Sequence, residues 1–222
     1  MSSLPEEIAA GLWRWTARHP EWHPGEFGRR VAAFAMRVDG GTLLVDPLLP
    51  QDDPAPVLEA LDGIVAGRVA ILVTIPYHTR SAEPLAARYE AMIHGHPKTA
   101  ERLADKRAFR PVVPGDALPG GARAFAIGRP RRSELPLWLP SHRAVAFGDA
   151  VVGVNGGLRV WAQAAVDDRL RRFHRERFNP TLEPLLELDA ERILVGHGEP
   201  VLSDGRVSLA AALAADPWTR RA

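Results

Sequence analysis

Apolar positions along the chain follow two periods, and the switch between them outlines the fold. "GLWRWTA" alternates, which puts Trp13 and Trp15 on one face of a strand. "RRVAAFAMRVDG" and "GTLLVDPLLP" read as two strands joined at Asp39-Gly40-Gly41, a hairpin turn signal. "DPAPVLEALDGIVAG" has helical spacing, with Asp53 as cap, Pro54 in the first turn and Gly67 at the end. "RVAILVT" is apolar throughout, as in a strand covered on both faces. Beyond it the pattern predicts a helix capped by Ser81 ("SAEPLAARYEA"), a strand ("MIHGHP") and a third helix ("KTAERLADK").

From Phe109 the texture changes. "FRPVV", "ARAFAIG", "LPLWLP" and "RAVAFGDAVVG" are short runs between Gly/Pro turns, which predicts an antiparallel meander. The chain then returns to helices over "VDDRLRRFHRERF" and "PTLEPLLELD", a strand "RILVGHG", and a last helix from about Ser208. This succession suits two mixed sheets packed face to face with helices outside. No linker-like stretch interrupts residues 1–222, so a single domain is expected. Two segments echo each other: "GTLLVDPLLP" and "AVAFGDAVVG" each run from an apolar strand to an aspartate and then an apolar loop.

Composition narrows the chemistry. The 28 Lys+Arg and 27 Asp+Glu leave a net charge of +1, so no sequence-wide field favours nucleic acid or an anionic membrane surface. Cysteine is absent, which removes disulfides, thiolate ligands and a cysteine nucleophile and leaves His, Asp and Glu for any metal. The segment "MSSLPEEIAA" lacks the basic-then-apolar pattern of a signal peptide, and the apolar runs are of strand length. A cytoplasmic protein is the expectation.

The order of elements, with "LLVDP", "ILVT" and a His-bearing loop, "LPSHRAVAFGDAVVG" and "ILVGHGEP", resembles the metallo-β-lactamase superfamily over about residues 11 to 205. The resemblance implies an α/β, four-layer αββα sandwich with one or two metal ions, usually zinc, at one sheet edge. It also implies hydrolysis of esters, lactones, thioesters, amides or phosphodiesters. Where family members carry T-H-x-H-x-D-H, this chain aligned on Thr74 has Ile75 and Tyr77 for the first two histidines, Thr79 for the aspartate and Arg80 for the last histidine. His78 falls on a spacer position. Arg129 stands where the histidine of a later motif belongs, so that Asp149 and His197 alone remain of the usual ligand set. Isoleucine and guanidinium groups cannot ligate a cation, and an arginine brings positive charge to the place of a dication.

The expected site therefore has His197, Asp149 and His78 as chemical groups and Tyr77, Arg80, His96 and Arg129 as ligand-binding groups. It holds no metal, or at most one weakly held zinc on Asp149 and His197. Two arginines in a cleft favour a small anionic molecule. The resulting reading is a pseudoenzyme or cofactor-independent enzyme; the alternative is a hydrolase of an ester, lactone or thioester with a rearranged single-metal site. An Arg80–Asp149 salt bridge in place of the metal follows from the same reasoning. His94 and His96 could share a strand face, but lack a third donor. His19, His23, His142 and His174 read as surface residues, and the tryptophans at 13, 15, 22 and 138 as packing.

Overall fold

A computed structural model describes residues 3–22 and 27–220. The larger sheet has seven strands in sequence order: β1 (Glu6–Ala9), β2 (Leu12–Arg18), β3 (Arg30–Val38), β4 (Gly41–Val45), β5 (Arg68–Val73), β6 (Met92–Gly95) and β7 (Phe109–Pro111). Strands β1 to β4 pair antiparallel, and β4 to β7 parallel. The second sheet is built from β8 (Arg123–Ala124), β9 (Leu137–Leu139), β10 (Ala144–Phe147) and β13 (Arg192–Val195), in the order β13-β10-β9-β8. A hairpin, β11 (Val151–Val154) with β12 (Gly157–Val160), follows β10.

Alternation along the central strands produces three apolar interfaces. On β3 and β5, Phe34, Met36 and Leu72 face the second sheet, while Ala35, Ile71 and Val73 face the helices α1 (Ala55–Ile64) and α2 (Ala82–Tyr89). On β10 and β13, Ala146 and Leu194 face the first sheet. Val145, Phe147, Ile193 and Val195 face Phe178, Leu182 and Leu185 and helix α4 (Gly205–Ala214). Strands covered on both sides must be apolar on both sides, hence the unbroken runs "AILV" and "ILV". Three interfaces separate four layers, the αββα sandwich. No helix among the described residues is long and apolar enough to cross a membrane.

The turn at Asp39-Gly40 forms as its sequence predicts, with Val38 paired to Gly41 and Gly40 at φ +80°. Trp13 and Trp15 do share a face, packed on the helix side of the sheet. Several local expectations are overturned. β7 is a parallel edge of the large sheet instead of the start of a meander; β13, whose direction the sequence left open, joins β10 in parallel. "KTAERLADK" and "PTLEPLLELD" form only 3-10 turns, at Pro97–Arg102 and over Asn179–Thr181 and Glu183–Glu187. The second of these holds a proline at each turn, which cannot continue an α-helical hydrogen-bond ladder. Helix α3 (Asp168–Phe173) gives way to a π turn over His174–Phe178, and α4 begins at Gly205. Ser81 precedes α2 but makes no capping bond, because its hydroxyl accepts from the Leu49 amide instead.

Candidate functional site

Three turns at the strand ends converge with a fourth. The turn after β4 carries Asp46, that after β5 carries His78 on a 3-10 turn (Pro76–Thr79), and those after β10 and β13 carry Asp149 and His197. Glycine permits the approach. A Cβ on Gly196 would lie 2.8 Å from the Gly148 carbonyl oxygen and 3.1 Å from His78 Cε1. Gly198, at φ +81°, lets the His197 turn dock on β11, where the Gly153 amide donates to His197 O at 2.9 Å.

His78 is buried between two carboxylates. Its Nδ1 lies 2.8 Å from Asp46 Oδ2 and its Nε2 3.3 Å from Asp149 Oδ1. Asp46 in turn accepts from the amide (2.8 Å) and the hydroxyl of Thr74. His197 Nε2 lies 3.2 Å from the same Asp149 Oδ1, and Arg131 donates to Asp149 Oδ2 at 3.2 Å. The two aspartates that echo each other in sequence thus flank one imidazole.

Electrostatics follow from this packing. Burial and the charge of Arg80 disfavour protonation of His78, but Asp46 and Asp149 outweigh them and hold its pKa above the ordinary value. Burial would raise the Asp149 pKa. Hydrogen bonds from His197 and His78 and the charges of His78 and Arg131 instead hold it well below the usual carboxylate range. His197 is pushed down by burial, against the pull of Asp149. With Asp149 as acceptor, His197 carries its proton on Nε2, and its buried Nδ1 has no protein partner. Behind Asp149 the buried Glu134 is pushed up to about 7, by burial first and with Asp149 adding to it, against the pull of Arg131 and of backbone amides.

The cluster opens into a cleft of about 520 Å³ lined by His19, Trp22, Tyr77, Trp161 and Gln163 together with His78, Asp149 and His197. Tyr77 is 57% exposed, with the Arg102 guanidinium 4.1 Å over its ring. His19 is not a surface residue: it faces the cleft, and its pKa falls to about 4, through burial first and then the charges of Arg80, His78 and His197.

Other expected positions move. Arg80 does not pair with Asp149; its guanidinium donates to the carbonyls of Ala32 (3.0 Å) and Asp46 (3.1 Å). It bridges β3 to the end of β4 from a backbone at φ 40° and ψ −110°, strained for a residue with a Cβ. Arg129 is exposed and outside the cleft lining, and Arg131, two residues on, takes the aspartate. His96 also lies outside the lining, its Nδ1 accepting from the Lys98 amide. His142 and His174 are buried, the first with Nε2 2.8 Å from Arg37 O, the second among Phe173 and Phe178. His23 lies outside the described residues. Asp46, Arg131, Glu134, His19 and Trp161 were missed. Only Asp46 carried a signal, its place at a strand end matching that of Asp149.

Could these residues hold a metal? His78, Asp149 and His197 each offer a ligand atom, all within 4.8 Å of one another. A tetrahedral ion with bonds of ~2.0–2.1 Å spaces its ligands by about 3.3 Å, which the separations of the two imidazoles from Asp149 Oδ1, 3.3 and 3.2 Å, match. Asp46 behind His78 resembles the carboxylate that orients a metal-bound imidazole. Among the described residues no second such group exists.

No protein-family model matches the chain, nor does any curated protein sequence. Solved structures do. A metallo-beta-lactamase from Erythrobacter litoralis, with beta-mercaptoethanol in its active site, aligns at TM-score 0.65 and 16% identity over 95% of this chain and 94% of its own. A chemotaxis sensor, ODP, described as a peroxy diiron species, aligns at 0.64 and 14% over 97% and 96%. A metallo-beta-lactamase family protein from Thermus thermophilus aligns at 0.60 and 18% over 94% and 80%. Identities this low speak for the backbone alone: this chain has the metallo-β-lactamase fold.

Proposed function

We propose that the cleft binds a small anionic organic molecule and that protein cations, not metal ions, neutralise its aspartates. The observation that carries this is Asp149, whose two oxygens are already taken by His78, His197 and Arg131. With His78 protonated between its two carboxylates, Arg80, Arg131 and His78 outnumber Asp46 and Asp149 by one charge. Glu134, pushed up to about 7, is only partly ionised near neutral pH, and Glu21 in the lining is paired with Arg102. Burial is the largest cause of the depressed His19 pKa, and the charges of Arg80 and His78 push it in the same direction. Such a cleft disfavours cations and favours anions. Trp22, Tyr77 and Trp161 offer apolar faces to the remainder of the ligand.

The protein is then a pseudoenzyme, or an enzyme that works by acid–base chemistry without a cofactor. In the second case His197, oriented by Asp149, is the acid–base group at the cleft, and His78, closed between Asp46 and Asp149, holds that aspartate in place. Calorimetric titration with benzoate and with the isosteric neutral benzamide at matched ionic strength tests the charge argument. Benzoate should bind at least tenfold tighter; equal affinities would sink it.

The three-donor spacing favours one other reading, a hydrolase of an ester, lactone or thioester that holds a single ion on His78, Asp149 and His197. An ion there would supply Lewis-acid chemistry. It would require neutral His78 and would add two positive charges beside Arg131 and Arg80, and for that reason we rank it second. Zinc titration separates the two: saturable one-to-one binding in the micromolar range or tighter would favour the hydrolase.

A further inference from the structure

Behind Asp149, on the side away from the cleft, sits a second carboxylate that lies outside the cleft lining. Glu134 is 0% exposed. Its Oε1 accepts from the amides of both Gly148 (3.0 Å) and Ala150 (3.1 Å), the residues on either side of Asp149, and its Oε2 accepts from Ala150 again (2.9 Å). Glu134 is itself anchored, with its amide on Arg131 O at 2.9 Å and the next amide, of Leu135, on Thr74 O at 2.7 Å. One short segment therefore grips Asp149 twice: Arg131 holds a side-chain oxygen, and Glu134 holds the backbone on both flanks.

The turn has no slack on its other side. A Cβ on Gly148 would stand 2.7 Å from Thr74 Oγ1 and 2.9 Å from Ile75 Cγ2. A buried carboxylate is a costly way to cap a turn, because a neutral Asn or Ser could satisfy a single amide. Here one carboxylate oxygen spans both flanks, and the second, in the same rigid plane, adds a further bond on the Ala150 side. Such fixing matters here because Asp149 Oδ1 must meet two imidazoles at once, at 3.3 and 3.2 Å.

We propose that Glu134 is a positioning residue: by bridging the Gly148 and Ala150 amides it aims Asp149 at His78 and His197. The inference rests on the reading that these three residues are the working cluster. Its test reads their geometry and not ligand binding, so that either idea can fail alone.

The experiment is nitrogen-15 NMR of the histidine side chains in Glu134→Met, at pH 7 with a chelator present. Methionine is of similar length and accepts from neither backbone amide, whereas glutamine could keep both bonds on a single oxygen. In the parent, His78 should show two protonated nitrogens and His197 a proton on Nε2 alone. In the folded variant, the low-field imidazole protons on Asp149 should move upfield and the Nε2 shifts of both histidines should change. Thr42→Val serves as the control, since it removes a buried hydroxyl bonded to Ala66, at the opposite end of β4. It should lower stability and leave the histidine signals in place. Unchanged histidine signals in folded Glu134→Met would overturn the proposal. Should that variant not fold, the parent protein decides: Gly148 and Ala150 amides bonded to a carboxylate resonate downfield and exchange slowly. Fast exchange at either would equally overturn the proposal.

Discussion

Arg131→Met is the most direct probe of how the aspartate is neutralised. Arg131 and Asp149 are 5% and 15% exposed at their side chains, so their interaction at 3.2 Å is little screened by water. Methionine keeps the bulk and removes the charge. One charge-assisted hydrogen bond is worth about 1.5–3 kcal/mol. The guanidinium also lies 4.8 Å from the Trp161 ring centre, and that contact adds roughly 0.5–2 kcal/mol. Asp149 keeps its two histidines, which holds the loss below the full cost of stranding a buried charge. The expected loss is about 2–4 kcal/mol. For a chain of 222 residues that corresponds to a fall in Tm of about 4–16 °C. Urea unfolding and scanning calorimetry measure both quantities. The Nε and second amino group of Arg131 make no protein hydrogen bond, so the double-mutant cycle is cleaner than the single change. Arg131→Met and Asp149→Asn should be coupled by at least about 1 kcal/mol. Arg80→Met, which removes bonds to Ala32 and Asp46 carbonyls, should be far less coupled to Asp149→Asn. Additivity at Arg131 together with strong coupling at Arg80 would refute the assignment of the cation.

Elemental analysis of protein purified without chelator should find less than one equivalent of zinc, iron or manganese, and a chelator should leave Tm unchanged. Stability should also depend on pH through His19. Its folded pKa, about 4, lies below the ordinary 6.5, so the unfolded chain binds more protons between those values. The His19 contribution is present above about 6.5 and is lost as pH falls toward 4, and His19→Gln should flatten that part of the stability profile. Tyr77→Ala should weaken benzoate binding at least threefold while shifting Tm by no more than about 2 °C, since the ring is 57% exposed at the cleft mouth. A larger Tm change would show that Tyr77 holds the fold instead of the ligand.

Much of the fold is legible in the sequence because burial writes itself along the chain. "RVAILVT" and "RILVGHG" are apolar at consecutive positions, and only strands covered on both faces demand that. Asp39-Gly40 states its turn for a similar reason, since the backbone at Gly40 needs φ > 0. The short helices are less legible: "KTAERLADK" has fair helical composition, yet tertiary packing leaves it a 3-10 turn at Pro97–Arg102. At the site, residue type at the strand ends marked His78, Asp149 and His197, because strand ends are where side chains from distant segments meet. Which cation meets Asp149 is another matter. It depends on how the segment after Gly128 turns, and a shift of two residues exchanges exposed Arg129 for buried Arg131. Glu134 and His19 were invisible for the same reason. A carboxylate behind a turn and an imidazole facing a cleft are defined by what lies across from them, and linear order does not record that contact.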